Sequence, residues 1–167
     1  MPGCSAPAEH MDPRFSMKRF LRWCWHTFGG WLPSSRTTLD ASVEAHEALA
    51  RFIFSSRHFS PQQNRVKEGA FLPNRFGEVS VFRVHGLEAF DIWAIGTAVA
   101  TSRSGSLYAR GDIRAQAVRK LQLDVIADKL PSRHANIIGW PGDKAKQKII
   151  ALELAAAATL VVKVSDA

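Results

Sequence analysis

Cysteine is nearly absent from this chain. Cys4 and Cys24 are the only two, both near the N-terminus, and neither sits in a Cys-x-x-Cys or Cys/His metal spacing. A disulfide framework and a zinc finger are therefore not expected, and the reduced cytoplasm is the compartment that fits. Long apolar runs are also missing. Nothing approaches the roughly 18 to 20 residues a membrane span requires, which argues against an integral membrane protein. The common catalytic signatures are not there either. The chain has no Gly-rich Lys-Ser/Thr phosphate loop, no Gly-x-Gly-x-x-Gly after a strand, no His-Glu-x-x-His and no Gly-x-Ser-x-Gly. Nucleotide hydrolases, zinc proteases and esterases of the usual kinds are disfavoured. The carboxylates do not group as a two-metal nuclease needs. Only Asp112, Asp124 and Asp128 fall near the ends of predicted elements, so neither a metal nor a cofactor is expected.

What is present is a chain of 167 residues, 46% hydrophobic and 22% charged, with a net charge of +7. Its length supports one domain with a real core. The cationic bias favours anionic partners such as nucleic acid, nucleotides or lipid head groups. Residues 1–36 read as an extension. The first fourteen are small and proline-broken, with Met11 and Met17 as alternative starts. Lys18, Arg19 and Arg22 then stand among Phe20, Leu21, Trp23, Trp25, Phe28 and Trp31, which holds three of the five tryptophans. A basic, Trp-rich amphipathic helix from about Lys18 to Trp31 suits a membrane surface, nucleic acid or a protein partner, so a peripheral membrane association accompanies the cytoplasmic expectation.

Residues 37–167 read as a single α+β domain with a small mixed or antiparallel sheet, helices on one face and a long C-terminal helix. A helix is predicted over 40–49, capped by Thr38 or Asp40, and a strand over 51–54. The segment 59–77 lacks periodicity and contains Pro61, Gly69, Pro73 and Gly77, the mark of a long loop. A strand over 78–84, a helix over 87–100 and a short strand over 107–109 follow. Asp112 is then expected to cap a helix over 113–121, ahead of a strand over 123–127. The Arg110-Gly111-Asp112 triplet is too common by chance to carry an adhesion reading. Finally, Pro141 and Asp143 open the clearest helix. Its apolar rows are Ile149, Leu152, Ala156 and Leu160, and beside them Ile150, Leu154, Ala157 and Val161.

The polar shortlist comes from strand ends and the long loop. Arg57, Arg65, Lys67, Arg83, Arg110 and Arg133, with Arg75, supply cations, while Asn136 and Trp140 add an amide and an indole beside a β-like run. A surface of this kind binds phosphates and weakens with salt. The best-supported expectation is therefore a phosphate-ligand-binding domain, nucleic acid foremost. Arg57-His58 and Arg133-His134 repeat an Arg beside a His. If His58 and His134 share a cleft, metal-independent cleavage or transfer at a phosphodiester or nucleotide becomes feasible, with one imidazole as base and one as acid. An accessory subunit that docks on a protein is the third alternative.

Overall fold

The computed structural model describes residues 42–128 and 130–164, which fall within one compact unit. The Trp-rich segment, both cysteines and the predicted helix cap at Thr38 or Asp40 lie outside those residues. In chain order the elements are β1 (Ala48–Ile53), β2 (Phe59–Ser60), β3 (Arg65–Val66), β4 (Val79–Arg83), α1 (Ala89–Ser102), β5 (Ala109–Arg114), α2 (Ala115–Lys120), β6 (Asp124–Ala127), β7 (His134–Ile138), α3 (Lys144–Ala157) and β8 (Thr159–Val162). Six strands form one sheet in the order β6-β7-β4-β1-β5-β8, and β2 pairs β3 in a small hairpin. Every pairing is antiparallel.

Alternation along the strands sorts side chains to the two faces. Leu49, Ile53, Val79, Val81, Ala109, Ile113, Val125, Ala135, Ile137 and Leu160 share one core. Ala115 and Val118 of α2 and Ala151, Leu154 and Ala155 of α3 close it, with Phe59, Val66, Ala70 and Phe71 from the segment between β1 and β4. The opposite alternation of β1 and β4 places Ala50, Phe52 and Phe82 in a second cluster with Ile92 and Val99 of α1. Both faces at the sheet centre are thus apolar and both need cover. The α+β class, the antiparallel sheet and the C-terminal helix are as expected, but the helices divide between the two faces instead of gathering on one. Gly96 lets α1 sit close, since a Cβ there would lie 2.7 Å from both Leu107 Cδ2 and Phe52 Cε1.

Three predicted helices differ in extent. Residues 43–47 form a turn and not a helix, and β1 begins at Ala48. Asp112 and Ile113 belong to β5, which pairs with all six residues of β1, so α2 starts only at Ala115 and has no side-chain cap. The C-terminal helix stops at Ala157 because Thr159-Leu160-Val161-Val162, rich in β-branched residues, pairs with β5 as β8. Asp143 caps α3, its carboxylate accepting from the Ala145 and Lys146 amides at 2.7 and 3.4 Å. The expected loop over 59–77 contains the β2–β3 hairpin and a 3-10 turn at Glu68–Ala70.

Candidate functional site

Several shortlisted side chains turn inward to bond with the fold. Arg83 is 3% exposed; its Nε and Nη2 donate to the two carboxylate oxygens of Glu47, each at 2.7 Å. Burial raises the pKa of Glu47, but the bonds from Arg83 and from the Glu44 amide outweigh it and hold the carboxyl below its ordinary value. Arg110 is also buried, lies over the Trp93 ring at 4.8 Å and donates to Asp112 Oδ2 at 3.1 Å. Burial raises the pKa of Asp112 despite that neighbour. The Arg-Gly-Asp triplet is therefore part of an interior strand and presents no exposed loop. Trp140 donates its indole N–H to the Ile137 carbonyl at 3.1 Å and packs on the larger core.

Arg133 is half-buried with φ at 67°, and its Nη1 donates to the Arg83 carbonyl at 3.3 Å. Burial lowers its pKa, as does Arg83, against the pull of Asp91 and Glu47. Asn136 is half-buried on β7, opposite Ser80 on one side and Ile126 on the other. Arg57 and Arg65 remain exposed and Lys67 half-buried, on the 3-10 turn at Ser56–His58 and on and beside the hairpin.

The two histidines behave differently from these. His58 is half-buried with its ring against Gly69, where a Cβ would come within 2.8 Å of His58 Cδ2. Burial lowers its pKa, Arg51 adds to that, and Glu68 opposes it. His134 is buried and meets the Phe82 ring edge-on at 5.2 Å. Its Nδ1 lies 3.5 Å from Asp128 Oδ2 without a hydrogen bond. Burial lowers its pKa as well; Asp128 resists, while Arg103 and Arg51 push the same way. Both imidazoles thus stand within the field of one guanidinium, that of Arg51.

Arg51, which the sequence shows only as part of a cationic region, and Arg103 stand outside the polar shortlist. The registered pairing of β1 with β4 covers only Leu49 with Arg83 and Ala50 with Phe82. Just beyond it, Arg51 reaches across to donate from Nε to the Ala70 carbonyl at 2.7 Å and from Nη1 to the Ser80 carbonyl at 2.8 Å. Among the described residues no carboxylate forms an ion pair with it. Burial, helped by Arg103, lowers its pKa to about 10. Arg103 follows α1, is exposed, and lies over the Phe54 ring at 5.1 Å, with partial desolvation lowering its pKa. The signal in the sequence was one cation inside the apolar run Ala48-Leu49-Ala50-Arg51-Phe52-Ile53. It was legible as an anomaly, though not as a position.

Chemically, the arrangement is two neighbouring guanidiniums and two imidazoles whose protonation is disfavoured first by burial and then by the charge of Arg51. An anion bound near them would offset the repulsion between the guanidiniums. Among the described residues no group of three or more His, Cys, Asp or Glu could hold a metal ion, and no helix is long and apolar enough to cross a membrane. Comparison with protein-family models, with curated proteins and with solved structures finds no match to this chain.

Proposed function

We propose that this domain binds a phosphate-bearing ligand, nucleic acid foremost, at the cationic ground shared by Arg51, Arg103, His58 and His134. One observation carries the reading: Arg51 is a half-buried guanidinium held by two main-chain carbonyls, with a second arginine nearby and, among the described residues, no carboxylate in an ion pair with it. A partly desolvated cation without a counter-ion is costly, and a bound anion offsets that cost. Exposed Arg57 and Arg65, with Lys67, extend the positive field along the adjoining turn and hairpin, as a polyanion requires. A cytoplasmic site of action fits the same reading. Contact of the segment from Lys18 to Trp31 with a membrane surface or a protein partner is a separate proposal about residues outside those described.

The test is fluorescence anisotropy of the full chain with short labelled RNA, single-stranded DNA and duplex DNA. Binding that weakens with salt, and weakens further in Arg103→Gln and Arg57→Gln, supports the reading. No binding at low salt rejects it. A second reading, metal-free phosphodiester or nucleotide chemistry, draws on the depressed pKa values of His58 and His134 in the field of Arg51. The lowered pKa values favour the neutral imidazole, the form that can accept a proton. Loss of turnover with retained binding in His58→Gln or His134→Gln would favour it.

A further inference from the structure

Among the described residues, one stripe of α3 is left without cover. Gln147, Ala151, Leu154 and Ala155 are buried, while Ala145, Ile149, Leu152 and Ala156 are exposed, Ile149 at 56% and Leu152 at 48%. The exposed four follow the alternating spacing of four and three residues that forms the seam between two packed helices. Lys146 and Glu153, both exposed, flank the stripe at equivalent places, each one residue past a seam position.

We propose that this stripe is the interface of a homodimer, in which α3 of two copies packs antiparallel about a twofold axis. With the axis between Ile149 and Leu152, each Ile149 faces the second copy's Leu152 and each Ala145 faces its Ala156. Lys146 of either copy then lies beside Glu153 of the other. An isologous contact must complement itself in this way. The reverse, parallel arrangement brings Lys144, Lys146 and Lys148 of both copies to one end and aligns the helix dipoles, two repulsive terms that the antiparallel arrangement removes. The alanines at both ends permit close approach of the helices.

Charge also distinguishes the second copy from another occupant. The segment 15–32 of the same chain carries Lys18, Arg19 and Arg22 and no acidic residue. Laid on this face it would meet three lysines, Lys144, Lys146 and Lys148, against the single Glu153, whereas a second copy sets one Glu153 beside each Lys146. The seam is short, so a micromolar dimer is expected rather than an obligate one.

Sedimentation equilibrium of the full chain tests the proposal. The expected result is a concentration-dependent dimer that Leu152→Glu weakens about tenfold or more, with unchanged far-UV circular dichroism. Lys146→Glu and Glu153→Lys should each weaken it several-fold, and combining the two reversals should restore it. A chain that is monomeric up to about 100 µM overturns the proposal. So does a dimer indifferent to Leu152→Glu. Single reversals that the double variant fails to rescue overturn the antiparallel register. A monomer whose tryptophan emission shifts to the red in Leu152→Glu assigns the stripe to the Trp-rich segment of the same chain and likewise overturns it.

Discussion

Replacing Glu47 by Gln should destabilise the domain by about 3 kcal/mol, a large share of the roughly 5–15 kcal/mol that holds such a domain folded. The magnitude follows from geometry. Both side chains are almost fully buried, and the guanidinium of Arg83 makes two bonds of 2.7 Å to the carboxylate. A hydrogen bond to a charged group contributes about 1.5–3 kcal/mol. Gln keeps one acceptor for Arg83 or for the Glu44 amide but removes the charge that balances the buried guanidinium. Urea denaturation followed by circular dichroism measures the effect, and a midpoint lowered by about 1–2 M corresponds to it at a typical slope. Replacing both partners with apolar residues of similar size, Glu47→Leu with Arg83→Met, should recover most of the loss, because neither charge is then stranded. A loss below about 0.5 kcal/mol in Glu47→Gln would be the behaviour of a solvated surface pair. It would refute the burial argument and return Arg83 to the ligand-binding candidates.

The remaining predictions address the second face, the pH response and the site. Gly96→Ala improves intrinsic helix propensity by up to about 1 kcal/mol, yet its Cβ would fall 2.7 Å from Leu107 and Phe52 side chains, so a net loss of about 1–2 kcal/mol is expected in denaturant titrations. Stabilisation instead would mean that α1 is packed less closely than described. His134 and His58 both have folded-state pKa values below their unfolded value, so the unfolded chain binds more protons and stability is complete above that value. Thermal midpoints should therefore fall as pH drops from about 8 through about 6.5 and below. His134→Gln should flatten the profile, and a slope unchanged by that substitution contradicts the assignment. Asp112 has the opposite sign, since its raised pKa gives stability that is lost as pH rises from its unfolded-state value through its folded-state value. Gly69→Ala should displace the His58 ring, since its Cβ would lie 2.8 Å from Cδ2, and should weaken ligand binding more than it changes the melting temperature.

Alternation and helical periodicity made much of the fold legible, although Asp143, expected within the first turn of α3, is its N-cap. Val79 to Arg83 and Asp143 with the helix behind it are local patterns, and local physics decides them. The turn at 43–47 and the start of α2 at Ala115 were not legible, because β1 and β5 pair across six residues and Glu47 is held by Arg83, contacts far apart in sequence. Pairing with β5 likewise ends α3 early and makes β8. The same limit applies to the site. Arg83, Arg110 and Trp140 look like ligand groups in one dimension, but a carboxylate, an indole face and a carbonyl supplied by the fold already engage them. Arg51 was hidden by its neighbours Ala50 and Phe52, which mark a core strand. Its role depends on where Ala70 and Ser80 place their carbonyls.

The most direct test of the phosphate site is the titration of the His58 and His134 imidazoles by NMR, assigned with the His58→Gln and His134→Gln variants, with and without a short oligonucleotide. An anion bound beside Arg51 and Arg103 should raise both imidazole pKa values, and by linkage binding should tighten as pH falls toward 6 from about 8. Binding that leaves both imidazoles where they were would place the ligand elsewhere and contradict the account.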